Sequence, residues 1–196
     1  MPGHHIDFGH YGATGQRSSL AAAEVLDGLA GGITSPVKTH RGLAARLRYM
    51  TRSKHAHRTM AQEGLNPAPA TLRKWLDGTQ TPREENLALI EETYRRMRRH
   101  NVARYLLQRL NANGGTLIEI HPAEDGNVPQ QNRRRDKSVR KVKIRHWDAI
   151  VAGWSDGGWA QGREQLIDDA WTDELRDAIG SDWGAYEYTR SLGFAA

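Results

Sequence analysis

The chain contains no cysteine among its 196 residues. That excludes a disulfide framework, a thiol nucleophile and a cysteine zinc site, and it fits a reducing compartment such as the cytoplasm. A run of membrane-spanning length is also missing: the most apolar stretch, Leu20 to Ala30, is interrupted by Glu24 and Asp27, so neither an anchor nor a signal peptide is expected. No serine sits in a nucleophile elbow, and the carboxylates of 164–177 have the helical spacing of an acidic surface rather than of a metal site. The chain therefore reads as non-enzymatic and without a cofactor. Lysine is scarce, outnumbered by arginine 22 to 6. An arginine excess favours bidentate phosphate contacts, but a GC-rich coding bias accounts for it first.

What is present is positive charge in one region. The formal net charge is +5, yet residues 38–112 carry +10 and 113–147 carry +4, against −2 for 1–37 and −7 for 148–196. A basic field of this kind neutralises phosphates and releases their counterions, giving affinity for nucleic acid without sequence information. Part of it is an ordinary solvated helix face, since Glu91–Arg95 and Glu92–Arg96 have helix-pairing spacing. Arg98, Arg99, Arg104 and Arg109 lack such partners, and Arg98 and Arg99 join the expected DNA contacts.

Sequence information is expected from Thr71-Leu-Arg-Lys-Trp-Leu-Asp-Gly78, followed by Pro82. Pro67 and Pro69 cannot sit inside a helix, but proline is tolerated at a first position, so a helix can start at about Pro69. Leu72, Trp75 and Leu76 then share one face and point into a small core, leaving Ala70, Thr71, Arg73 and Lys74 outside. Gly78 suits the left-handed residue that closes a helix. Upstream, His55 to Glu63 reads as a first helix ended by Gly64, with Leu65 turning inward. Arg58 on it and Lys54 just before it are expected DNA contacts. The pattern resembles the helix-turn-helix of phage-repressor-type domains, with a turn from Gly64 to Ala70 about two residues longer than usual. A plain helical hairpin without a ligand is the alternative.

Around this motif three regions are expected. Residues 1–37 form a flexible arm with a short helix from Ser19 to Ala30. His4, His5, Asp7 and His10 in the arm could ligate a metal, but a mobile arm holds ligands poorly, and no metal is expected. Residues 38–112 form the DNA-binding domain, with Leu43, Leu47 and Met50 packing a first helix beneath the motif and one long helix over 83–111. At 1.5 Å per residue that helix would span roughly 43 Å, which suits a connector and a contact with a second copy of the chain. Residues 113–196 form a β-ribbon with acidic helices. Thr116-Leu-Ile-Glu-Ile120 and Ser138 to Trp147 should pair antiparallel, with Arg140, Lys141 and Lys143 as further DNA contacts. In the acidic tail, Leu166, Ile167, Ala170, Trp171, Leu175, Ala178 and Ile179 mark an amphipathic helix over 163–179. Trp147, Trp154, Trp159, Trp171 and Trp183 either pack that module or form a partner surface. The expected class is α+β, mainly α.

The order of elements resembles the telomeric terminal proteins of linear Streptomyces-type chromosomes and plasmids. The likeness rests on Gly42-Leu-Ala-Ala-Arg-Leu-Arg-Tyr-Met50, Thr71 to Gly78 with Pro82, Thr116 to Ile120, and Arg140-Lys-Val-Lys-Ile144, and it covers roughly 38–185. The resemblance implies a nucleoid-associated protein of telomeric DNA that works with a telomere-associated protein and a DNA polymerase. It also implies a side-chain hydroxyl offered as primer and left covalently attached to the 5′ end. The loop between the two strands offers no serine or threonine before Ser138, so Ser138 and then Thr116 are the expected acceptors, with Ser155 as a fallback. A helix-turn-helix transcriptional regulator of a plasmid, phage or other mobile element is the other reading, and a packaging protein of low specificity a third.

Overall fold

The computed structural model describes residues 15–123, 138–157 and 163–195. The expected arm residues His4, His5, Asp7 and His10, together with Trp159, lie outside them. The class is α+β, mainly α, as expected. In chain order the elements are β1 (Gln16–Arg17), α1 (Ser18–Ala30), α2 (His40–Thr51), α3 (Lys54–Gln62), α4 (Pro69–Asp77), α5 (Glu84–Asn111), β2 (Thr116–Pro122), β3 (Arg140–Ile144), α6 (Asp148–Ser155), α7 (Gln165–Ile179) and β4 (Tyr188–Ala195). They fall into two compact units, Ala30–Val102 and a second that joins the described residues up to Leu29 with those from Ala103 onward.

The contiguous unit is built on short helices that the sequence punctuates at each end. Thr39 caps α2 by accepting the Gly42 amide at 3.1 Å and donating to the Pro36 carbonyl at 2.7 Å. Gly42 is there because a Cβ would lie 2.1 Å from the Pro36 carbonyl oxygen. Ser53 caps α3 through the Ala56 amide at 3.1 Å. α4 starts on Pro69 and is closed by Gly78 at φ 74°. Leu43, Leu47, Met50, Met60, Leu65, Trp75, Ile90 and Met97 meet in one core, with α2 packed against both α3 and α4. Arg46 lies on the same face as Leu43, Leu47 and Met50 and is buried with them. Its guanidinium donates to the carbonyls of Ser35 (2.7 Å), Gly42 (3.0 Å) and Ile33 (3.2 Å), and it pairs with Glu91 at 2.7 Å. The segment before α2 is thereby fastened to α2 and α5.

The discontinuous unit holds a four-stranded antiparallel sheet in the order β1-β4-β2-β3. The expected pairing of β2 with β3 is present, with Ile118 opposite Val142 and Glu119 opposite Lys141. β2 is paired on its other edge by β4, so the two strands are part of a sheet rather than a free ribbon. Tyr188-Thr-Arg-Ser-Leu-Gly-Phe-Ala195 alternates poorly and contains a glycine, which is why it does not read as a strand in the sequence. Thr116, Ile118, Ile120, Val142 and Ile144 are buried.

Trp147, Trp154 and Trp171 pack this unit rather than forming a partner surface. Trp147 lies 6.2 Å from Trp171 and 5.1 Å from Phe194, ring centre to ring centre. α1 is part of this core, not of an arm. Ala22 and Leu26 are fully buried, the Trp171 indole donates to Ser18 Oγ at 2.8 Å, and the Trp154 indole donates to Asp27 at 3.0 Å. Asp168 on α7 accepts hydrogen bonds from both Arg17 and Ser19. Leu166, expected on the buried face of α7, is instead exposed, because Ile167, Trp171 and Leu175 alone define that face. α6, absent from the sequence reading, crosses α7 so closely that a Cβ on Gly153 would lie 1.9 Å from the Leu166 carbonyl oxygen.

Candidate nucleic-acid interface

α4 presents the side chains in the sense its spacing predicts. Trp75 is 4% exposed, Leu72 and Leu76 are half-buried, Arg73, Lys74 and Ala70 are exposed, and Thr71 is half-buried. No side chain caps the start of α4, and Pro69 has no amide hydrogen, so the Ala70 and Thr71 amides head the helix without an intrahelical acceptor. They point along the positive end of the helix dipole. The other end of α4 is held by His40, whose Nε2 lies 3.1 Å from the Leu76 carbonyl oxygen. Between α3 and α4 opens a cleft of about 250 Å³, lined by His57, Pro67, Pro69, Leu72, Arg73, Leu76 and Asp77.

The electrostatics of this unit are one-sided. Residues 38–83 contain ten lysines and arginines against two carboxylates, Glu63 and Asp77. Glu63 pairs with Arg96 at 3.1 Å, which it holds above the ordinary arginine range by that hydrogen bond, with a smaller contribution from Glu92. Lys54, Arg58, Arg73 and Lys74 are exposed and form no ion pair among the described residues, and the same holds for Arg41 and Arg48 on α2. Those two arginines are missing from the sequence reading. The signal was available, since they fall opposite Leu43, Leu47 and Met50 on α2. The carboxylates of this unit gather on α5, where Glu91 and Glu92 pair with Arg95 and Arg96 at 3.0 and 2.9 Å as their spacing predicts.

Several expected contacts are placed elsewhere. Arg98 is half-buried and donates to the Ala30 carbonyl at 2.6 Å, and Arg99 is 2% exposed, so both side chains are engaged with the protein itself. Their place in a basic run concealed that they face the protein. Arg140 is half-buried opposite Ile120. Lys141 pairs with Glu119 at 2.7 Å, and Lys143 donates to the Asn113 carbonyl at 2.8 Å. The Lys141 hydrogen bond and charge hold the Glu119 carboxyl below the usual glutamate range, and Glu119 holds the Lys141 ammonium above the usual lysine range. The basic strand is thus largely engaged with its own sheet.

Of the expected acceptor hydroxyls, Thr116 is 3% exposed and donates to the Leu110 carbonyl at 2.7 Å, which removes it from reach of any partner. Ser155 donates to the Ala152 carbonyl at 2.9 Å. Ser138 is exposed, two residues before β3. Among the described residues no three His, Cys, Asp or Glu side chains are placed to hold a metal ion, and no helix is long and apolar enough to cross a membrane. No family model matches the chain, and no curated protein and no solved structure is significantly similar to it.

Proposed function

We propose that this protein binds double-stranded DNA sequence-specifically through the unit Ala30–Val102, without being an enzyme itself. The observation that carries this reading is the outer side of α4: Ala70, Thr71, Arg73 and Lys74 around an uncapped helix start, with the indole of Trp75 anchoring the opposite side. A short exposed helix with that arrangement fits a major groove, where arginine and lysine read guanine edges and the first turn of the helix contacts bases. Lys54 and Arg58 on α3 and Arg41 and Arg48 on α2 supply phosphate contacts that set the register. Replacing Arg73 and Lys74 together with alanine weakens binding to a selected DNA site by about 1–3 kcal/mol while leaving the fold intact. A folded double variant that binds that site as tightly as wild type in a competition mobility-shift assay refutes the placement of the reading helix.

Within this reading, the resemblance to telomeric terminal proteins supports a role in end replication, with a DNA polymerase and a telomere-associated protein as partners. Exposed Ser138 is the remaining acceptor, since Thr116 is enclosed. In priming, the serine oxygen attacks the α-phosphorus of a deoxynucleoside triphosphate held by the polymerase. A phosphodiester forms, pyrophosphate leaves and the hydroxyl proton passes to the polymerase site. Incubation with labelled deoxynucleotide, polymerase and partner should label wild type and not Ser138→Ala. Failure to label wild type, with DNA binding intact, leaves a transcriptional regulator of a mobile element as the function.

A further inference from the structure

We propose that the cleft between the end of β3 and α7 binds a phosphate monoester carried on a hydroxyl- or amine-bearing group, as in a nucleotide or a nucleic-acid 5′ end. The cleft has a volume of about 360 Å³ and is lined by Lys143, Arg145, His146, Glu174, Asp177 and Ala178. All six belong to one compact unit, and the inference is independent of DNA reading by the other. The size falls within the range of small-molecule sites.

Two of the lining residues are cations, Lys143 and Arg145. Lys143 commits one of its three N–H groups to the Asn113 carbonyl and keeps two. Arg145 is exposed and forms no ion pair among the described residues, so its planar donor set is free for a phosphate. Beside them, the Glu174 carboxylate grips His146 twice. One oxygen lies 3.1 Å from Nδ1 and the other accepts the His146 backbone N–H at 3.3 Å. The Glu174 side chain is 14% exposed, whereas the imidazole is 72% exposed. A carboxylate at Nδ1 fixes the proton there and turns Nε2 outward. Nε2 is therefore left available to an arriving phosphate. Asp177, three residues beyond Glu174 on α7, is an exposed carboxylate with no ion pair among the described residues. It disfavours a bare inorganic anion but accepts from a hydroxyl or amine, which is why the ligand is a phosphate ester. The charged groups facing His146 are thus Lys143 and Arg145 from its own segment and Glu174 and Asp177 from α7.

The test uses the full-length protein with its histidine rings labelled with nitrogen-15. The probes are a nucleoside 5′-monophosphate, its parent nucleoside, inorganic phosphate, and a short oligonucleotide with or without a 5′-phosphate. The His146 ring resonances should shift saturably with the monophosphate and not with the nucleoside. Arg145→Met should weaken binding about tenfold. A phosphorylated oligonucleotide that moves the same resonances more tightly than the nucleotide identifies a nucleic-acid end as the source, and the reverse order identifies a free nucleotide. Absence of a saturable shift with any phosphate ester overturns the proposal. So does binding unchanged in Arg145→Met, or inorganic phosphate binding as tightly as the ester.

Discussion

Two residues of the same chemical type illustrate how position decides role. Arg46 and Arg73 both belong to a basic region, yet Arg46 is enclosed with three backbone carbonyls and Glu91, whereas Arg73 stands in solvent. Arg46→Ala should destabilise the Ala30–Val102 unit by about 3 kcal/mol, because it leaves buried carbonyls without a donor. Arg73→Ala should leave the melting curve unchanged, and thermal unfolding by circular dichroism of the two variants separates them. Trp75→Ala should cost about 3–5 kcal/mol for the cavity it leaves in the core. Glu119 supplies a pH test. Its carboxyl lies below the usual range in the folded protein, so its favourable contribution is present at neutral pH and is lost as pH falls through the folded-state value. A carbon-13 titration should find it depressed in wild type and returned to the ordinary glutamate range in Lys141→Met.

At the level of elements, the sequence was most legible where punctuation and periodicity agreed. Pro69, Gly78 and the Leu72–Trp75–Leu76 stripe define α4 to the residue, and the alternation of Val142, Lys143 and Ile144 marks β3. β4 was illegible because Gly193 breaks its alternation, and its place in the sheet depends on pairing with β2, some seventy residues distant. α6 was hidden by its brevity, and Gly153 reads as a breaker until the crossing with α7 requires it. The candidate interface was half legible. Exposure of Arg73 and Lys74 follows from the position of Trp75, but the engagement of Arg98, Lys141 and Lys143 depends on carbonyls and carboxylates from distant elements. The same limit concealed the contact of His146 with Glu174. Gly153→Ala should consequently perturb the α6–α7 crossing while leaving α2 to α4 unaffected, which amide chemical shifts would show as changes confined to residues around 147–179.

At the level of the whole molecule, the division into units makes a prediction about fragments. A fragment of residues 30–102 should fold alone and retain the DNA-binding surface. One that begins at Asn113 should not fold, because it lacks α1, with Ser18 and Asp27 that satisfy the Trp171 and Trp154 indoles, and it lacks Leu106 and Leu110 from α5. Sedimentation and amide dispersion of the two fragments check this. Discontinuity of the second unit also has a consequence for the order of events at the ribosome. α1 emerges before its partners on α6 and α7, which follow more than a hundred residues later, after roughly six to thirty seconds of synthesis at about 5–20 residues per second. In that interval the contiguous unit is already complete and can fold. Its own ends lie together, since Arg98 donates to the Ala30 carbonyl, so its folding gathers the intervening chain and shortens the loop that α1 must later close. The nascent chain thus waits with one apolar helix unsheltered, and the translation rate between α1 and α7 sets how long that exposure lasts.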